Sequence, residues 1–170
     1  MEAWAETQGI LTEAQYGFRK GRGTADCLFI INGLVDILFS KGQKLYVSFI
    51  DYEKAFDYLD RASIFYKLFS NGFSSKLVNI IKSMYSNMRL TVTDSDKGTF
   101  FSSRCGLLQG ESTSPFLFSL FVNDLEHNLN SLQGISIREA IIKMLMFADD
   151  MAIFSDTREG LQSGLDDLSI

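Results

Sequence analysis

Met144-Leu-Met-Phe-Ala-Asp-Asp-Met-Ala-Ile-Phe154 is an apolar run interrupted by two adjacent carboxylates. Ile141–Phe147 and Met151–Phe154 read as two strands of a hairpin, with Ala148-Asp149-Asp150 at its tip. Acids at a hairpin tip have an ordinary explanation, because Asp tolerates turn geometry. A second segment shifts the balance. Lys44-Leu-Tyr-Val-Ser-Phe-Ile-Asp51 is dense in β-branched and aromatic residues, reads as a short buried strand, and ends on a carboxylate.

Burying an unpaired carboxylate is costly, and adjacent carboxylates repel unless a cation sits between them. If the two strands are neighbours in one sheet, Asp51, Asp149 and Asp150 converge on one edge. Hard oxygen ligands of this kind suit Mg²⁺, or Mn²⁺ in its place, which binds a few carboxylates together with substrate phosphates. Two such ions about 3.5–4 Å apart can activate a 3′-hydroxyl and stabilise a leaving pyrophosphate. Other schemes find little here. His127 is the only histidine, so no triad or His-based acid–base pair can be assembled, and no GxxxxGK[ST] phosphate loop is present.

The remaining chain alternates helical stripes with short strands. Residues 24–39 carry Leu28, Ile31, Leu34, Val35 and Leu38 at helical spacing. Asp60 can cap a helix over 61–69, stopped by Asn71-Gly72, and Leu77, Ile80, Ile81, Met84 and Tyr85 form another stripe. Residues 89–94 and 98–103 pair around a polar turn. Ser114, as cap, and Pro115 open a long helix to about Leu129, and a last helix begins near Thr157. Helices and hairpins without regular βαβ alternation indicate an α+β fold.

The 170 residues are 46% hydrophobic and suit one domain or slightly more. Cys27 and Cys105 lack any CxxC spacing and are expected as reduced, buried thiols. No stretch approaches the ~20 apolar residues that cross a bilayer, and the first residues lack the basic start of a secretory signal. The net charge of −5 runs against nucleic-acid binding. One basic cluster opposes it, Arg19-Lys20-Gly-Arg22, which reads equally well as an anion-facing surface or a solvated loop.

Four blocks, in order, carry a likeness that spans roughly residues 9–168. They are Leu11-Thr-Glu-Ala-Gln-Tyr-Gly-Phe-Arg-Lys-Gly-Arg-Gly-Thr24, Phe49-Ile-Asp-Tyr-Glu-Lys-Ala-Phe-Asp57, Gly106-Leu-Leu-Gln-Gly-Glu-Ser-Thr-Ser-Pro115 and Phe147-Ala-Asp-Asp150. Together they resemble the reverse transcriptase domain of non-LTR (LINE-type) retrotransposons. The resemblance implies a polymerase palm, an antiparallel sheet with helices packed on one face, plus part of the fingers. It implies a partial fingers region over 1–43 and, over 44–170, a palm with a fingers-type insertion that stops before the thumb.

By the same resemblance Asp51, Asp149 and Asp150 are the catalytic metal ligands, Asp150 the weaker. Phe56 lies under the incoming sugar, unless it is a plain core residue, and Gln109-Gly110 contact the nascent pair. Arg19, Lys20 and Arg22 face nucleic acid. The implied partners are an RNA template, a DNA primer and dNTP, in the cytoplasm and nucleus, with no membrane. The missing fingers, thumb and endonuclease regions would supply the basic surface this acidic chain lacks. Many relatives carry Gln-Gly-Cys-Pro-Leu-Ser-Pro where this chain has Gln109-Gly-Glu-Ser-Thr-Ser-Pro115, a departure at Glu111 that bears on template contacts. A nucleotidyl cyclase is a rival, but cyclases lack both Gln109-Gly110 and the Tyr16-Gly-Phe block. The other alternative is a decayed or domesticated copy that binds nucleic acid or protein without catalysis.

Overall fold

The computed structural model describes residues 1–86, 88, 90–94, 97–101, 103 and 105–169. In chain order the elements are α1 (Glu2–Thr7), α2 (Thr24–Ser40), β1 (Tyr46–Ile50), α3 (Arg61–Ser70), α4 (Ser75–Ser86), β2 (Leu90–Asp94) and β3 (Lys97–Phe101). They continue with α5 (Ser114–Phe121), α6 (Leu125–Asn128), β4 (Ile135–Ile137), β5 (Ala140–Ile142), β6 (Met144–Phe147), β7 (Asp150–Ser155) and α7 (Arg158–Leu168). Two compact units divide them: Met1–Glu53 with Val122–Ile170, and Lys54–Phe121.

The first unit is built on an antiparallel sheet in the order β1-β7-β6. β7 is central, and Met151 through Ser155 are all buried, which is why that segment reads as continuous apolar sequence rather than alternation. Ala152 and Phe154 of β7 join Leu145 of β6, Leu34 and Leu38 of α2 and Ile135 of β4 in one core cluster. α7 packs against β7 and β1, and the Thr157 side chain caps it by accepting from Gly160 N.

Three expectations change in this unit. The run 141–147 is two strands, since β5 pairs with β4 and only β6 pairs with β7. The sequence stripe of α2 is only partly a buried face, with Leu28 and Val35 exposed at 60% and 46%. The helix expected from 114 to 129 ends at Phe121 and restarts as the four-residue α6. Asn123 in the gap accepts from Thr12 N (2.7 Å) and donates to the Ile10 carbonyl (2.8 Å), bonds that hold it outside a helix.

The second unit packs α3 against α4 and α5, with β2 and β3 as an antiparallel pair. Asp60 caps α3 through Ala62 N and Ser63 N. Arg61 is buried and donates to the carbonyls of Ser103, Cys105 and Gly106 at 2.7–2.8 Å, with its guanidinium over the Tyr85 ring. α4 buries Val78, Ile81 and Tyr85, while Ile80 and Met84 of the expected stripe are half exposed. Ser114 does not cap α5 from outside; it lies in the first turn, fully buried, with its hydroxyl beside those of Tyr85 and the Glu111 carboxylate. Cys105 is exposed and Cys27 half-buried, so the expected burial of both thiols does not hold. Arg89, Ser95, Asp96 and Ser102, part of the expected strand pair, lie outside the described residues.

Candidate active site

In the first unit the sheet places Asp51 and Asp150 side by side. Ile50 pairs with Met151, so Asp51, the next residue, and Asp150, the preceding one, continue the same antiparallel register at one sheet end. Both carboxylates are exposed. Both line a cavity of about 300 Å³ whose walls include Ile31, Phe49, Leu145 and Met151. Cys27 lines it too, and burial pushes its thiol pKa up, which keeps it protonated and a poor ligand.

Asp149 occupies the two-residue step between Phe147 and Asp150, is half-buried, and is not among the residues lining that cavity. Ala148 before it has φ +58°, a left-handed conformation that hairpin tips usually assign to glycine. Among the described residues no three acidic, histidine or cysteine side chains close around a common point. The structure thus brings two of the three acids together and leaves the third one peptide away. Exposed carboxylates with open surroundings fit, by donor type, a hard divalent ion that keeps much of its water.

Sequence reasoning missed Gln15, although the residue sits inside a quoted block. Gln15 is fully buried, and its side-chain amide reaches the acidic tip: Oε1 accepts from Ala148 N (3.1 Å) and Nε2 donates to Ala148 O (3.3 Å). Tyr16 N donates to Met146 O and Met146 N to Ala14 O, both at 2.8 Å, so this segment closes the edge of β6 left free by β7. A Cβ on Gly17 would stand 2.0 Å from Ala148 N; only glycine permits this approach. No local signal could have found a contact across 133 positions.

The basic cluster is largely turned inward. Arg19, with a side chain 6% exposed, donates to both Glu6 oxygens at 2.6–2.7 Å and to the Thr12 carbonyl at 2.7 Å. Hydrogen bonding from Arg19 holds the Glu6 carboxyl below the usual range. Arg22 bonds the Glu13 carboxylate and carbonyl and lies 4.9 Å over the Tyr16 ring. Lys20 is exposed.

The second unit holds the remaining candidates. Phe56 is half-buried and stacks on Phe118, with centroids 4.7 Å apart. Its carbonyl accepts from Leu107 N at 2.7 Å, and Gln109 Nε2 lies 3.4 Å from the Asp57 carboxylate, so Phe56 and Gln109 share one loop cluster. Gly110 is exposed at φ +84°, with no atom within 4 Å of where a Cβ would stand. Burial raises the pKa of Glu111, but hydrogen bonds from Thr113 and Ser114 outweigh it, and the carboxylate serves the start of α5. His127 is an exposed residue of α6.

A family model described as "Reverse transcriptase (RNA-dependent DNA polymerase)" matches residues 3–169. The chain is 30% identical over 159 residues to the "Retrovirus-related Pol polyprotein from type-1 retrotransposable element R2" of Nasonia vitripennis, covering 92% of this chain and 15% of that protein. It is 32% identical over 153 residues to the type-2 R2DM polyprotein of Drosophila melanogaster, covering 89% and 14%. With the "RNA-directed DNA polymerase from mobile element jockey" of Drosophila funebris the figures are 28% over 169 residues, 95% and 18%. The chain therefore spans less than a fifth of these relatives' length. Among solved structures, apo telomerase from Candida tropicalis superposes with a TM-score of 0.69 at 14% identity, over 99% of this chain and 34% of that one. Telomerase from Candida albicans, in complex with a fragment of telomeric RNA, gives 0.70 at 13%, over 99% and 31%. At such identities the likeness is one of fold.

Proposed function

The chain belongs to the reverse transcriptase family, and from that premise we propose that it carries the palm of an RNA-directed DNA polymerase of a non-LTR retrotransposon. The family works with divalent metal ions; Mg²⁺, or Mn²⁺ in its place, held by Asp51, Asp149 and Asp150 is the finer proposal. When bound, such ions lower the pKa of a primer 3′-hydroxyl and neutralise the charge that develops on the leaving pyrophosphate. The protein's own contribution is to deliver these carboxylates at one end of the sheet.

The second unit is assigned the nucleotide. Phe56 excludes a 2′-hydroxyl, and the open backbone at Gln109-Gly110 lies along the nascent base pair. Of the basic cluster, exposed Lys20 takes the contact with nucleic-acid phosphates, while Arg19 and Arg22 hold the loop that carries it. An RNA template, a DNA primer and dNTP are the partners this reading requires, and the cytoplasm and nucleus its place of work. The observation that carries the reading is the shared register of Asp51 and Asp150 with Asp149 in the turn between β6 and β7.

The test is Mg²⁺-dependent primer extension on an RNA template. It is made with this chain set into the R2 polyprotein of Nasonia vitripennis in place of the matched segment. We expect extension with the native chain and its loss in Asp149→Ala, several kcal/mol of transition-state stabilisation. Asp150→Asn should be milder. Undiminished turnover by a folded Asp149→Ala protein sinks the assignment.

A further inference from the structure

We propose that Gln15 is a positioning residue for the Asp149-Asp150 pair, acting through the backbone of Ala148. The Ala148 N–H and C=O belong to the two peptide planes on either side of its Cα, and the Gln15 amide pairs with both. Holding the two planes holds φ and ψ, and so the direction in which the chain delivers Asp149 and starts β7 at Asp150. The conformation held, φ +58° at an alanine, costs roughly 1–2 kcal/mol on its own. A glycine would relax there without cost; an alanine needs a partner that over-determines it.

The amide is matched to the task. Oε1 also accepts from Gly17 N at 2.7 Å, so both of its lone pairs are used, and Nε2 supplies the donor that the Ala148 carbonyl takes. A glutamate could accept the two N–H bonds but not donate, and would add a third negative charge beside two carboxylates. Methionine, of similar length, offers neither group. Behind Gln15, Arg19 Nη1 bonds the Thr12 carbonyl at 2.7 Å and reaches the Gln15 carbonyl at 3.4 Å. A chain of hydrogen bonds thus runs from Glu6 of α1 through Arg19 and Gln15 to the acidic tip.

Ligands hold a metal well only when groups behind them fix their orientation, and loss of such a group typically lowers metal affinity tenfold or more. This half of the proposal rests on the reading of Asp149 and Asp150 as ligands; the grip on Ala148 does not. The experiment measures three things on the 170-residue chain: Mn²⁺ affinity by electron paramagnetic resonance, melting temperature, and amide hydrogen exchange at Ala148. The variants are Gln15→Met and Leu34→Ala, the latter a core truncation in α2 whose packing cluster includes none of residues 147–150. We expect Gln15→Met to weaken Mn²⁺ binding about tenfold, and Leu34→Ala to leave it unchanged despite an equal or larger fall in melting temperature.

Equal affinity losses in the two variants, or none in Gln15→Met, overturn the proposal. In the native chain the Ala148 amide should exchange as slowly as Phe154 in the centre of β7. Fast exchange there overturns the grip even if Gln15→Met fails to fold. A native chain that binds no Mn²⁺ but protects Ala148, with protection lost in Gln15→Met, upholds the grip and discards the metal reading instead.

Discussion

Phe56 packs on Phe118, and the proposed selection of the sugar would fall to the same ring. Its ring stacks on Phe118, and the residue as a whole is half-buried. A flat ring against an incoming sugar leaves room for hydrogen at C2′ and none for hydroxyl, and exclusion by shape discriminates more strongly than one apolar contact. Phe56→Val should therefore raise the use of rCTP relative to dCTP, chiefly through the rCTP term. The same change removes an aromatic pair worth about 0.5–1.5 kcal/mol beyond its area, so some fall in melting temperature accompanies it. The ratio of kcat/KM values, read beside the melting temperature, separates the roles. A lower melting temperature with an unchanged ratio leaves Phe56 a packing residue only.

At the scale of elements, α1 and the loop after it form a clamp centred on Arg19. Its guanidinium is buried, bonded to both oxygens of Glu6 and to backbone carbonyls of the loop. Arg19→Gln removes these charged hydrogen bonds while leaving Glu6 partly solvated, and should cost about 1.5–3 kcal/mol, measured by urea denaturation. The pH dependence follows from Glu6, whose pKa lies below its ordinary 4.5 in the folded chain because of the bond from Arg19. The unfolded state then binds more protons than the native one in this range, so stability rises with pH. The contribution is complete above the ordinary value and is lost as pH falls through the lowered native one. Glu6→Gln should flatten the stability profile around and below pH 4.5. Glu13 is also lowered by its bond with Arg22, but its side chain is 82% exposed, and solvent screening leaves it a small share.

At the scale of the whole molecule, charge and apolar surface are the controlling quantities. A net charge of −5 gives the chain little general attraction to phosphates. α2 exposes Leu28, Val35 and Phe39 on one stripe, with Phe29 beside it, and Phe49 of β1 is 74% exposed. Leu161 and Leu165 of the last helix are half-buried because α7 packs against β7 and β1. Exposed apolar side chains in such number favour association. Light scattering of the purified chain should show concentration-dependent oligomers, and Phe29→Lys with Phe39→Lys should reduce them without lowering the melting temperature. A monodisperse monomer at high concentration would remove the patch as a source of association.

Features encoded locally can be read without the fold. The acidic hairpin between β6 and β7 is legible because apolar residues crowd both sides of Asp149-Asp150, and β1 is legible because β-branched and aromatic residues end on Asp51. The caps of α3 and α7 are legible because Asp60 and Thr157 satisfy amides two or three residues away. The partners of polar groups come from the fold alone, since a hydrogen bond is chosen by proximity in space. Arg19 and Arg22 read as surface cations until Glu6 and Glu13 are found beside them. The Glu111 carboxylate likewise has partners, Thr113 and Ser114, that only the folded loop reveals. The long helix after Pro115 breaks because Asn123 binds the backbone of Ile10 and Thr12. Gln15 carries no periodicity, cap or charge; only the fold, by laying its segment along the edge of β6, brings a buried amide against the one alanine whose backbone needs holding.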